Sequence, residues 1–288
     1  MLVASAAVCA STDKTFDREV AAQARGVVDI SNVSGSIEVS AWDRPNVSVH
    51  AELGEDVERV DVTSEGSRTV IKVVLPHHGT HDDDGEAHLH VKVPKDSEVD
   101  VSAVSADVVT NGLQGTQRLS AVSGDIVAEL AGADLELKTV SGDVKLKGHG
   151  QPARLHLSTV SGDLHLEHGA GDLEAGTVSG TMVLSLDSAS SVRARSTSGD
   201  LRFQGKLTQG ANFDASTVSG DLNVRAGADG GYAYEVSSFS GDISDCFTQK
   251  AERTSKYGPG STLQGSLGQG AGHMHLKTMS GDVELCDH

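Results

Sequence analysis

The chain has 288 residues, room for two domains, and 37% hydrophobic with 22% charged residues is ordinary for a folded protein. A formal charge of −18 disfavours nucleic acid and anionic lipid as partners, because phosphate groups are held by clustered Lys and Arg. Thirty-three glycines and 3% aromatics suit corners and small aliphatic rungs, and no stretch is long and apolar enough to span a bilayer as a helix.

In chain order, residues 1–10 are apolar and small, and Val8-Cys9-Ala10 places small residues where a signal peptidase wants them. The basic start and full apolar core of a signal peptide are missing, so the stretch reads as a shortened one; a frayed terminus is the plain alternative. Cys9 as a lipid-anchor site fits poorly, with Val8 before it. The mature protein is expected to be soluble and exported, to the periplasm or the cell surface.

Residues 21–95 mostly lack the repeat found later. Val27–Val39 alternates, Trp42-Asp43-Arg44-Pro45 reads as a turn, and strands are predicted at Val47–Val49, Val60–Thr63, Thr69–Leu75 and Ala87–Val93. An open coil end exposes unpaired backbone, so this region is expected to be a β-meander that caps a stack, with Trp42 as its core anchor. Between two of its strands lie His77, His78, His81, Asp82, Asp83, Asp84 and Glu86, followed by His88 and His90 on one strand face. Such donors suit a divalent transition metal, but the spacing of no known site is present, and a solvated polar insertion is the favoured reading.

Residues 96–288 carry a phrase, Thr-Val-Ser-Gly-Asp and an aliphatic residue, complete at Thr139–Val144, Thr159–Leu164 and Thr217–Leu222. It is slightly altered at Ala121–Ile126, Ser196–Leu201, Ser238–Ile243 and Thr278–Val283, and more so at Asn32–Ile37, Ala103–Val108 and Thr177–Met182. Its glycines, Gly124 to Gly241, step by 18, 20, 18, 19, 21 and 21 residues. Apolar residues alternate before the phrase (Leu155, Leu157) and after it (Leu164, Leu166), which is the period of half-buried strands, and Ser-Gly-Asp between them is corner chemistry. A unit this short cannot bury its own apolar face, but units stacked about 4.8 Å apart share one core. The expectation is an all-β parallel β-solenoid, a right-handed β-helix of about 18–21-residue coils.

Register places Asp125, Asp143, Asp163, Asp200, Asp221, Asp242 and Asp282 in a column at one corner. Neighbouring carboxylates about 4.8 Å apart repel by roughly 0.9 kcal/mol in a water-like dielectric and by about 3.5 kcal/mol at an effective value near 20, so something must offset them. Backbone N–H bonds at each corner would do it; calcium is the other reading, but Thr181 interrupts the column and the glycine-rich nonapeptide of calcium-loaded β-rolls is absent. No metal or cofactor is assigned.

Cys246 and Cys286 each stand four residues after a phrase aspartate. If two full coils separate them they are about 9.6 Å apart, beyond disulfide reach; if one coil plus an excursion does, they are neighbours. Tyr257-Gly258-Pro259-Gly260 and Gly268–Gly272 look like turns of an excursion and favour pairing.

No nucleophile elbow, phosphate loop, His-Glu-x-x-His or Cys-x-x-Cys is present, and no phrase serine has a recurrent histidine in register, so no catalytic residue is assigned. The phrase, the strands around Val27–Trp42 and the Cys-ended last coil resemble a bacterial β-strand-repeat family of unknown function that commonly carries an adhesin label. The resemblance implies a β-helix-like exported protein with no established activity. The expected function is a non-enzymatic, adhesin-like structural or binding module of the cell envelope, meeting a protein or glycan partner through strand faces and variable returns such as Gly148–Ala153 and Gly205–Asn212. The alternative is an envelope polysaccharide-processing enzyme on a β-helix scaffold, an analogy of fold alone.

Overall fold

A computed structural model describes residues 14–76, 85–247, 252–253 and 260–287. These residues are all-β, without a helix, and so contain none long and apolar enough to cross a membrane. Alternation in sequence becomes alternation in burial. In the strand Leu135–Ser141, Leu135, Leu137 and Thr139 point inward while Lys138 and Val140 point out. Inward residues from Val28 to Leu285 join one continuous core, and each fully buried Leu or Val contributes about 1.5–3 kcal/mol.

The strands form two stacked rows, one leading into each phrase and one leaving it. The first full coil is β2 (Val27–Trp42), which contains the degraded phrase Asn32–Ile37 and pairs in parallel with β7 (Glu98–Asn111) from Val27↔Glu98 to Ser40↔Asn111. From β7 the leading row continues through β8 (Gln117–Ser123), β10 (Leu135–Ser141) and β12 (Ala153–Ser161). The trailing row continues through β9 (Ile126–Leu130) and β11 (Val144–Gly148). Next come the long strands β13 (Leu164–Ser179), β14 (Met182–Ser198) and β15 (Leu201–Ser219), each of which serves both rows by running through its return. This regular in-register parallel stacking makes the fold β-solenoid-like.

Both ends change from parallel to antiparallel pairing. At the first end β6 (Ala87–Pro94) lies parallel to β2, but β3 (Asn46–Leu53) pairs with β6 and β1 (Lys14–Ala21) with β3, both antiparallel. On the other row β5 (Arg68–Val74) lies parallel to β2 and is covered antiparallel by β4 (Arg59–Glu65). Trp42 is half-buried and not in the core: its indole N–H donates to Asn46 O at 2.8 Å, and Arg44 lies over the ring at 5.1 Å. The expected core anchor is a staple of the turn, because Trp42 has the outward parity of Glu38 and Ser40, one residue beyond Ala41, which packs against the core.

At the second end, spatial order departs from chain order. Beyond β15, β16 (Leu222–Ala228) completes a coil, and the chain makes another with β17 (Gly231–Ser240) and β18 (Ile243–Asp245). The last coil, β21 (Gly272–Ser280) with β22 (Val283–Cys286), pairs with β15 and β16 on one side and with β17 and β18 on the other. The C-terminal coil is thus inserted between two coils that precede it in sequence. β20 (Ser261–Gly268) then covers β17 antiparallel, with the two-residue β19 (Glu252–Arg253) beyond it.

Candidate binding edge

Each phrase builds one corner. Its first residue, Thr139, Thr159, Thr177 or Thr217 in the central coils, is buried at the end of the leading strand. The hydroxyls of Thr139, Thr159, Ser196 and Thr217 have no hydrogen-bond partner among the described residues. Glycine is required by closeness as well as by conformation. Gly162 has φ +143°, and a Cβ there would stand 2.2 Å from Gly142 O. The last residue returns inward as Val144, Leu164 or Leu222, so the four residues between are left at the surface, with the glycine half-buried.

The phrase aspartates are bonded to one another from coil to coil, which differs from the expected bonds within each corner. Where two aspartates stack, the carboxylate of one accepts the backbone N–H of the aspartate one coil further on, not a donor of its own corner. Asp143 N donates to Asp125 Oδ1 at 2.9 Å, and Asp163 N to Asp143 Oδ1 at 2.9 Å. The ladder starts at Asp107, which accepts from Asp125 N, and passes to Thr181 N, which donates to Asp163 Oδ1 at 2.8 Å. It resumes from Asp200 to Asp221 and follows the spatial order of coils: Asp282 N donates to Asp221, and Asp242 N to Asp282. A charge-assisted bond of this kind contributes about 1.5–3 kcal/mol, above the roughly 0.9 kcal/mol of fully water-screened repulsion between neighbours and comparable with the about 3.5 kcal/mol expected at an effective dielectric near 20.

Beside the aspartates runs a second column that sequence reasoning did not single out. Val33, Val104, Val122, Val140, Val160, Val178, Val218, Met279 and Phe239 are 40–56% exposed, and Val127 is the one other large hydrophobic so exposed among the described residues. All nine occupy the second position of a phrase, and the register that aligns Thr139 with Thr159 and Ser141 with Ser161 stacks them one above another. Thr197 fills the tenth position. Ten positions separated by nine steps of about 4.8 Å give an apolar ridge roughly 43 Å long, flanked by serines and then by the carboxylates. Corner geometry does not require an apolar residue here, since Thr197 serves equally well and threonine is as good a strand former as valine. The signal was available in sequence: the two corner residues after an inward threonine point out.

Outward residues of the leading row also order themselves. Reading across strands in spatial order gives Asp100, Arg118, Glu136, His156, Glu174, Arg193, Asp214, His275 and Glu235. Acidic and basic side chains alternate, with Arg118 Nη1 3.1 Å from Asp100 and His156 Nδ1 3.4 Å from Glu174. Arg193, Asp214, Tyr234, Glu235 and His275 line a shallow groove of about 560 Å³ at the far end of this ladder. Burial pushes up the hydroxyl pKa of Tyr234, whose oxygen lies 3.5 Å from Asp245.

Cys246 and Cys286 are joined in a disulfide, with Cα atoms 5.0 Å apart, and tie the outermost trailing strand to the inserted one. Of the histidine- and aspartate-rich stretch, residues 77–84 lie outside the described residues, while His88 and His90 project from the outward face of β6.

The solved structures most similar to the chain include a "putative adhesin" from Parabacteroides merdae ATCC 43184, at 9% identity and TM-score 0.33, covering 95% of this chain and 97% of that one. Another is a "putative adhesin" from Bacteroides fragilis NCTC 9343, at 11% identity and TM-score 0.32, covering 94% and 97%. A third is a "putative lipid binding protein" from Parabacteroides distasonis ATCC 8503, at 9% identity and TM-score 0.31, covering 96% and 97%. No curated protein matches the chain. The Toastrack DUF4097 family model matches residues 27–286, a span that holds all ten phrases, and the chain belongs to that family.

Proposed function

We propose that the protein is a non-enzymatic, adhesin-like binding module of the bacterial cell envelope, and that it binds through the edge formed by the second and fifth phrase positions. The observation that carries this reading is the column of nine exposed hydrophobics beside a column of carboxylates. A large contiguous apolar surface on a soluble protein marks an interaction site. The carboxylate flank selects a cationic partner, and aliphatic side chains select an apolar one; sugars prefer aromatic platforms, of which the edge offers Phe239 at one end. The partner that fits is a protein surface carrying Lys or Arg beside aliphatic residues. We place the chain outside the cytoplasm on the strength of the Cys246–Cys286 disulfide, which persists in oxidising compartments, with residues 1–10 as the remnant of a signal peptide. Right-handed winding, the usual hand of parallel β crossovers, and a capping role for the antiparallel strands before Lys95 complete the reading.

The test is retention of purified protein on isolated envelopes, before and after protease treatment of the envelopes. Wild type is expected to bind untreated envelopes and to lose binding after protease or in high salt. A V140S/V160S/V178S variant, with an unchanged melting curve, is expected not to bind. Equal retention of the variant, or retention indifferent to protease, would overturn the proposal, and cleavage of envelope glycan by the purified protein would replace it with the enzyme reading.

A further inference from the structure

The outward face at the first end of the stack brings together two histidines that lie 40 residues apart in sequence. His50 on β3 is the direct cross-strand partner of His90 on β6. His50 Nδ1 lies 2.7 Å from Asp17 Oδ1 on β1, and His90 Nδ1 lies 2.9 Å from Glu38 Oε2 on β2. Four adjacent strands therefore present carboxylate, imidazole, imidazole, carboxylate in a row. An ionised carboxylate only accepts hydrogen bonds, so each Nδ1 carries the proton, and in a neutral ring the Nε2 lone pair is left for another partner. The two rings stack with centroids 6.1 Å apart and are about half exposed.

This row departs from the pattern of the solenoid face, where acid and base alternate singly. Two adjacent imidazoles would repel if both were charged, and as neutral rings they direct two lone pairs to the same surface. A carboxylate that receives Nδ1–H and leaves Nε2 basic is the arrangement by which proteins orient metal-binding histidines. We propose that His50 and His90 form a surface site for one divalent transition-metal ion of the zinc, nickel or copper class, with Asp17 and Glu38 as the groups that orient the rings. Cross-strand neighbours have Cβ atoms about 4.5–5.5 Å apart, close enough for both side chains to reach one ion, which zinc holds at roughly 2.0–2.1 Å from each nitrogen. Water fills the remaining positions. Glu52 and His88, opposite one another two residues further along the same face, add an acceptor and a third imidazole close by. With Asp17, Glu38 and Glu52 around it, the pair sits in a negative field that favours a cation. The site is independent of the binding edge, which lies at the corners.

Calorimetric titration of the full chain with zinc chloride, and separately with nickel chloride, tests this together with histidine ring-nitrogen NMR. One ion per chain is expected, with zinc shifting the Nε2 signals of His50 and His90. H50Q and H90Q are each expected to weaken binding at least about tenfold, and D17N and E38Q, which keep both ligands, by about 10–100-fold. Melting curves of the apo variants report whether each is folded. The proposal fails if wild type shows no saturable heat, or if other histidine signals shift while these two do not. It fails equally if an H77Q/H78Q/H81Q variant loses binding while H50Q/H90Q retains it.

Discussion

Gly162 shows how tightly one residue is specified by the stack. Its φ of +143° and the 2.2 Å that would separate a Cβ from Gly142 O leave no side chain that fits without moving backbone. Strained φ alone costs about 1–3 kcal/mol, so G162A is expected to lose at least about 3 kcal/mol in urea denaturation, with a midpoint well below that of wild type. Thr159 is the opposite case. Its buried hydroxyl has no partner among the described residues, and valine keeps the branched shape without the unmet polar atom. T159V is expected to gain about 1 kcal/mol in the same assay; a loss of stability would mean that the hydroxyl is bonded in solution, to water for instance. Asp143 and Val140, in the same phrase column, answer different needs. The carboxylate serves the neighbouring coil through Asp163 N, whereas the valine side chain is 47% exposed and lies outside the core.

At the scale of elements, the inserted coil β21–β22 decides how the second end holds together. In chain order Asp214 of β15 would lie next to Glu235 of β17, two like charges on neighbouring strands. Insertion places His275 between them, in register with both. The disulfide then bonds β22 to the end of β18 across the insertion. For a 40-residue separation, loop entropy gives about 4 kcal/mol. C246S/C286S is expected to lose most of this, seen as faster amide exchange in β17, β18 and β22 with β8 to β12 unchanged. Uniformly faster exchange along the rod would mean that the bridge acts on global stability and does not clamp this end.

At the scale of the whole molecule, acid stability follows from glutamates held by partner side chains. The hydrogen bond with His149 holds the Glu129 carboxyl below its usual range despite slight burial, with help from Gly112 N–H. Glu136 is lowered chiefly by its bond from Lys138, and Glu167 by its bond with His165. A carboxylate whose folded pKa is depressed contributes stability that is full above its unfolded value, about 4.3 for Glu, and that is lost as pH falls through the folded pKa. The melting temperature is therefore expected to hold from neutral pH down to about 5 and to fall below about 4.3, with E129Q flattening that fall. A melting temperature that rises on acidification would show that relief of repulsion in this acidic chain outweighs the lost bonds.

The sequence by itself determined the all-β repeat, the corners, the aspartate column and the register of strands, because period-two alternation and a phrase of fixed length leave one way to stack units that cannot fold alone. It did not determine the order of the last coils. The phrases at Ser238–Ile243 and Thr278–Val283 are nearly equivalent, and parallel in-register pairing accepts either as a neighbour. Nor did it bring His50 beside His90, since antiparallel pairing at the first end depends on how β3 folds back over β6. The exposed valines were legible letter by letter, yet they counted as part of a structural phrase until the fold showed Thr139 turned inward and Val140 turned out. Only the tertiary structure separates what a corner needs from what it displays, because burial is a property of the stack and not of the repeat.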